Sequence, residues 1–261
     1  MNPKLLLALI VMLSWLLAAG CGEDSKPAPP APPAPSPTAE STPPPRPAEP
    51  TGAWPFLSGD ESAGTLAENL TARNFLLIFD GSGSMEKSEC SGAISKLDAA
   101  KQAVAAWSKS VPADANLGLY AFHKQGILTL PLASHNRDLF IEAVHRIQAG
   151  GTTPLDSAMW NAYQSFTAQG KRQLGYGEYT IVVVTDGIAN DAKLLQQAVD
   201  MVLTQSPINI YSIGFCIDDR HSLNQPGRTL YRSADNPQQL EQGLRDVLAE
   251  SESFDARDFT E

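Results

Sequence analysis

Phe75-Leu76-Leu77-Ile78-Phe79-Asp80-Gly81-Ser82-Gly83-Ser84 decides the fold of this 261-residue chain. The apolar run 75–79 is too short for a helix and too uninterrupted for a strand with one wet face. It reads as a strand buried on both sides. The strand ends on an acid, and Gly81 and Gly83 let the backbone turn sharply. Asp80, Ser82 and Ser84 stand at alternate positions, which in an extended turn face one point. One carboxylate and two hydroxyls suit a hard cation such as Mg²⁺, which takes oxygen ligands at about 2.0–2.1 Å. A polar Gly/Ser loop closing a strand is the plainer reading of the same residues.

Composition narrows the function classes. A formal net charge of −10 is a poor basis for sequence-independent nucleic-acid binding, which relies on Lys and Arg neutralising phosphates. No nucleic-acid partner is expected. The three cysteines, Cys21, Cys90 and Cys216, form no CxxC pair, so zinc ribbons and thioredoxin-like motifs are unsupported. A hydrophobic fraction of 43% is ordinary for a globular protein, but the 20 prolines are unevenly spread.

Residues 1–20 read as a signal peptide: Lys4 gives a positive start, and Leu5 to Leu17 is an apolar run broken only by Ser14. Leu17-Ala18-Ala19-Gly20-Cys21 resembles a bacterial lipobox. The resemblance implies cleavage before Cys21 and lipid on its thiol and new amino group, a firm membrane anchor. Gly22 rather than Asp follows the cysteine, which in a cell with two membranes favours the outer one. The expected location is therefore the bacterial cell envelope, with the folded part in the periplasm or at the surface. Residues 21–65 form a tether, and Pro27 to Pro50 is dominated by Pro and Ala. Such a stretch buries no core and is expected to be extended, reaching on the order of 90 Å. Residues 54–57 are expected to be the first to touch the folded body, which spans 66–250, and 251–261 form an acidic tail.

Within 66–250, strand and helix patterns alternate. Leu97, Ala100, Val104 and Trp107 recur at helical spacing behind a Ser95-x-x-Asp98 cap, and Pro112 closes that helix. Strands at 117–122 and 127–132 are joined by too short a link for anything but an antiparallel pair. Helical faces follow at Phe140, Val144 and Ile147, and at Leu155, Met159, Ala162, Tyr163 and Phe166. Residues 179–185 are a second buried strand ending at Asp186-Gly187, and a helix starts near Asn190. A third strong strand covers 208–216, a short edge strand 229–232, and a last helix opens at Asn236-Pro237. This order predicts one α/β domain, a mostly parallel sheet with an antiparallel edge strand and helices on both faces.

Ligands of open α/β sheets gather at the carboxyl ends of strands, near a switch in strand order. If the strands ending at Asp80 and Asp186 are neighbours, both carboxylates share one rim. Thr153 follows Gly150-Gly151-Thr152; Thr153-Pro154-Leu155-Asp156 also reads as a helix cap with proline at the first helical position.

Asp-x-Ser-x-Ser after a buried strand, Gly-x-Thr before a helix, and Thr-Asp-Gly after a second buried strand resemble the von Willebrand factor type A (VWA) domain over roughly Ala72 to Leu248. The resemblance implies a Rossmann-like fold and a metal-ion-dependent adhesion site at Asp80, Ser82, Ser84, Thr153 and Asp186, with Thr152 the alternative to Thr153. The implied ion is Mg²⁺, with Mn²⁺ or Ca²⁺ as alternatives. An acidic residue of a protein partner would complete its coordination. Cys90, just past the Asp80 loop, and Cys216, at a strand end on the same rim, are expected to pair, since exported proteins keep disulfides. Asp218, Asp219 and His221 are read as a solvated loop, and Glu86 and Asp191 as facing water.

The chain is read as a binding protein, not an enzyme. Ser82 stands where an aspartyl phosphatase carries its second acid, no Gly-x-Ser-x-Gly surrounds Ser82 or Ser84, and no Lys follows the glycine loop. A metal-dependent hydrolase or phosphatase, and a structural domain with a vestigial site, are the alternatives.

Overall fold

The computed structural model describes residues 53–56, 65–217 and 219–252. The signal segment, Cys21, the Pro/Ala-rich stretch to Gly52, Asp218 and residues 253–261 lie outside the described residues. Among the described residues no helix is long and apolar enough to cross a membrane.

Among the described residues, six strands and five α-helices follow one another as β1 (Arg73–Asp80), α1 (Lys96–Ser110), β2 (Asn116–His123), β3 (Gly126–Ala133), α2 (Arg137–Arg146), α3 (Leu155–Arg172), β4 (Glu178–Thr185), α4 (Ala192–Gln205), β5 (Asn209–Phe215), β6 (Leu230–Ala234) and α5 (Pro237–Glu252). The sheet order is β3-β2-β1-β4-β5-β6. Every pairing is parallel except β2 with the edge strand β3, which meet antiparallel at His123↔Gly126. The connections run outward from β1 on one side and from β4 on the other, so the topological switch lies between these two strands.

β1 explains why its sequence is apolar throughout. Phe75, Leu77 and Phe79 point to one face, where they meet Ala100, Val104 and Trp107 of α1, Phe140 and Val144 of α2, and Leu240 and Leu244 of α5. Leu76 and Ile78 point to the other, against Met159, Ala162 and Phe166 of α3 and Leu195 and Val199 of α4. Side chains alternate across a strand, so a strand covered on both faces must be hydrophobic at every position. Each such Leu, Ile or Phe contributes roughly 1.5–3 kcal/mol on burial. The α1 cap forms as its sequence pattern predicts: Ser95 Oγ accepts from the Asp98 amide at 3.0 Å.

Trp54 packs edge-on against Tyr179 at the start of β4, with ring centroids 4.7 Å apart, and its indole N–H donates to Thr167 Oγ1. Gly170 makes room, since a Cβ there would lie 2.4 Å from the Trp54 ring. The described segment 53–56 therefore meets the domain at the amino-terminal pole of the parallel strands, opposite the rim that carries Asp80 and Asp186.

Cys90 and Cys216 are joined by a disulfide, Cα–Cα 6.0 Å, that closes a loop of 126 residues. It ties the loop after β1 to the end of β5. Replacing both cysteines by serine is expected to lower stability by up to about 4–5 kcal/mol, seen as a lower urea midpoint with a steeper slope, since the unbridged chain unfolds to a more open ensemble. An unchanged midpoint would show that the bridge contributes nothing to folding.

Candidate metal centre

The register Phe79↔Val184 sets the ends of β1 and β4 side by side. Asp80 is wholly buried at that edge. Its Oδ1 accepts from the Ser82 amide at 2.8 Å, and its Oδ2 accepts from the Thr185 hydroxyl at 2.6 Å. Gly81 must be glycine here: a Cβ would stand 2.8 Å from His123 Cβ and 2.9 Å from the Phe122 carbonyl oxygen. Beyond it the chain does not stay extended as expected. Gly83–Glu86 closes into a 3-10 turn pinned by the buried Met85. The turn brings Ser84 round to Asp186, and a relay results. Ser84 Oγ donates to Asp186 Oδ1 at 2.7 Å, which leaves the Ser82 hydroxyl to donate to Ser84 Oγ at 3.0 Å.

The Thr153 loop is laced to the same place through its backbone. The Gly150 amide donates to Gly81 O at 2.9 Å and the Gly83 amide to Gly151 O at 3.2 Å. Gly150 and Gly151 have φ of +153° and +84°, and at +84° an L side chain would be strained. Thr153 is not the cap of α3 that its sequence suggests. Pro154 holds that position without a side-chain hydrogen bond, so the Thr153 hydroxyl is not committed to the helix. A Cβ on Gly187 would lie 3.3 Å from Thr153 Oγ1 and 3.8 Å from Asp80 Oδ2, so both oxygens face that one point. Thr152, the alternative, is exposed and its hydroxyl accepts from Asn190 Nδ2 at 3.1 Å. Asp80, Ser82, Ser84, Thr153 and Asp186 thus converge on one rim, at the switch between β1 and β4.

The model of the von Willebrand factor type A domain family matches residues 75–188, which contain all five. An uncharacterized protein, YwmD of Bacillus subtilis (strain 168), is 26% identical over 204 residues, covering 67% of this chain and 85% of its own. Among solved structures, the von Willebrand factor type A protein of Catenulispora acidiphila superposes with a TM-score of 0.57 at 19% identity, over 69% of this chain and 43% of that one. The folded part of the chain has the VWA fold. The pilus adhesin SpaC of Lactobacillus rhamnosus GG has the same fold, with a TM-score of 0.58 at 14% identity over 72% of this chain. The match spans only 31% of that adhesin's length.

Four residues of this rim have roles that the five expected site residues do not cover. Asn190 locks two loops: its Oδ1 accepts from the Thr153 amide and its own amide donates to the Thr153 carbonyl, both at 3.0 Å. The helix expected to begin near it starts at Ala192, capped by exposed Asp191. His221 is not in a solvated loop; it is buried. Its Nδ1 accepts from the Leu223 amide at 3.1 Å, and Nε2–H then donates to the Gly187 carbonyl at 2.8 Å, while the ring stacks on Tyr231. Burial pushes the imidazole below its usual range, against the opposing pull of the Gly187 carbonyl, so the neutral ring holds the strand-end loop in place. Thr185 bridges the site from β4. Lys96, the first residue of α1, is the fourth: its Nζ lies 2.5 Å from Asp186 Oδ2. A lysine in the first turn of a helix opposes the helix dipole, and that mismatch was the one available signal.

The residues fit a hard divalent ion. Asp186 Oδ2 is buried, and the Lys96 ammonium stands against it as its counter-charge. A divalent ion would offer that oxygen the same kind of charge. Among the described residues there is no cluster of three or more His, Cys, Asp and Glu, so the donor set is hydroxyl-rich and hard rather than zinc-like.

Burial raises the Asp80 carboxyl from 3.8 to about 6; the neighbouring Asp186 charge adds to this, and hydrogen bonds from Ser82 and Thr185 oppose it. Because the folded value lies above the unfolded one, this contribution to stability is fully present below about pH 4 and lost as pH rises through about 6. Two units amount to about 3 kcal/mol at neutral pH. Asn fits the same partners, since Thr185 Oγ1 can accept from an amide. In EDTA at pH 7, Asp80→Asn is therefore expected to melt above the wild type and to lose that slope between pH 4 and 7. A lower melting temperature at pH 7 would contradict the assignment.

Proposed function

We propose that this VWA domain binds a divalent cation, Mg²⁺ or in its place Mn²⁺ or Ca²⁺, and uses it to capture an acidic side chain of a protein partner. Asp80, Ser82, Ser84, Thr153 and Asp186 would hold the ion. When bound, the ion supplies an electrophilic site for an outside carboxylate oxygen. The observation that carries this reading is the convergence of five oxygen-bearing side chains from three loops on one rim, around a buried carboxylate oxygen that faces positive charge.

The chain's own residues account for the rest. The Ser82–Ser84–Asp186 relay orients the hydroxyl lone pairs before any ion arrives. Asp80 and Asp186 match the charge of one divalent ion, so a bound partner need contribute only one acid. Burial of the site lowers the local dielectric, which strengthens a carboxylate–cation contact there relative to open water. Ile188, two residues past Asp186, is 70% exposed and offers an apolar contact beside the ion. That a pilus adhesin carries the same fold is consistent with capture of a partner rather than turnover of a substrate.

Under the same proposal the mature chain is a lipoprotein anchored through Cys21 in the bacterial cell envelope, on the outer membrane in a two-membrane cell. The binding rim lies at the pole away from the segment 53–56. Replacing Cys21 by alanine is expected to release the chain from the membrane fraction; unchanged fractionation would remove the anchor from the proposal.

The metal reading is tested by calorimetric titration with MgCl₂ and by partner capture from the native cell with and without EDTA. Wild type is expected to bind and Asp80→Ala to show no measurable binding, with capture abolished by EDTA. Equal affinity in both proteins would overturn the assignment. Binding without any effect of EDTA on capture would make the ion structural.

A further inference from the structure

Lys96 is a charged residue of this rim with no place in the motif. Its side chain is 7% exposed, a rare state for lysine, and it sits where the α1 dipole disfavours a cation. Its position is nevertheless fixed. The Lys96 amide donates to the Lys87 carbonyl at 2.7 Å, which binds the first turn of α1 to the loop that carries Ser82 and Ser84. Its ammonium touches Asp186 Oδ2 at 2.5 Å and lies 3.7 Å from Glu89 Oε2. The two partners differ in kind. The Asp186 side chain is fully buried, whereas that of Glu89 is 61% exposed. Glu89 is held beside the site because the next residue, Cys90, is bonded to Cys216.

We infer that the Lys96 ammonium is a built-in competitor for the divalent ion: it neutralises Asp186 while the ion is absent and shifts to Glu89 when the ion binds. This rests on the metal reading above. Without Lys96, two carboxylates, Asp80 and Asp186, would face each other in a dry pocket with no counter-charge, and the metal-free site would be forced apart. With Lys96 in contact, the oxygen that the ion needs is already paired, and a like charge stands beside the ion. The lysine therefore sets the affinity low and keeps the empty site in its binding arrangement. Glu89 gives the displaced ammonium a partner at the edge of the pocket, so displacement does not leave a buried charge unpaired.

The test is titration of the full chain, in detergent, with MgCl₂ alone, together with melting in EDTA, for wild type, Lys96→Met and Glu89→Gln. Lys96→Met is expected to bind Mg²⁺ at least tenfold more tightly and to melt lower in EDTA, with saturating Mg²⁺ closing the gap. Glu89→Gln is expected to bind several-fold more weakly with its EDTA melting unchanged. Binding by Lys96→Met but not by wild type would also support the inference, as a lysine that shuts the site. Equal or weaker binding by Lys96→Met, with wild type still binding, would overturn this inference and leave the metal reading standing. Binding by neither protein would overturn both. Should Lys96→Met fail to fold without metal, Glu89→Gln decides, and an unchanged affinity there overturns the inference.

Discussion

Asp80 and Asp186 are two carboxylates withdrawn from water at the one edge where the sheet reverses its strand order, and their charge must be answered. Much of the rim follows from this requirement. The Ser82 amide and the Thr185 hydroxyl answer Asp80 with hydrogen bonds. Ser84 answers one oxygen of Asp186, and Lys96 the other. The backbone lacing of 81 to 150 and of 83 to 151 keeps these donors in place. A buried acid that is merely hydrogen-bonded still carries a desolvation cost, which is visible in the elevated Asp80 carboxyl. The fold supplies the donors, and the Lys96 ammonium supplies the opposite charge that donors cannot.

The sheet determines where this can happen. β1 and β4 are covered on both faces, so their apolar side chains fill the interior and the first polar groups can appear only where the strands end. Parallel pairing puts both of those ends on one rim. The disulfide then secures the loop after β1 to β5, and His221 secures the loop after β4 through the Gly187 carbonyl. Binding sites on loops need such external bracing, because loops alone do not hold side chains to the accuracy that ion coordination demands.

The fold was legible, and with it the meeting of the Asp80 and Asp186 loops at one rim, because both rest on local rules. The run 75–79 and the run 179–185 are apolar at every position, which only double-sided burial explains. The capping pattern Ser95-x-x-Asp98 and the short link between β2 and β3 gave a helix start and an antiparallel pair directly. What local rules could not give was anything decided by a long-range partner. His221 looks like a surface loop residue beside two acids, and only its contacts with Gly187, Leu223 and Tyr231 make it interior. Asn190 looks like a helix start, yet its amide is used across the rim by Thr153. Thr153 looks like a cap, but the loop 150–154 turns it into the site. Lys96 alone left a trace, a cation in the wrong turn of a helix, and that trace had meaning only once Asp186 lay beside it.

The central claim is that the oxygens of Asp80, Ser82, Ser84, Thr153 and Asp186 form one cation pocket. Crystals of the domain grown with MnCl₂ and measured at the manganese absorption edge test it most directly. The account predicts a single strong anomalous peak bounded by these five side chains, with Ser82 or Ser84 Oγ at coordination distance. A map with no peak there, or with manganese bound elsewhere on the molecule while this rim stays clear, would contradict it.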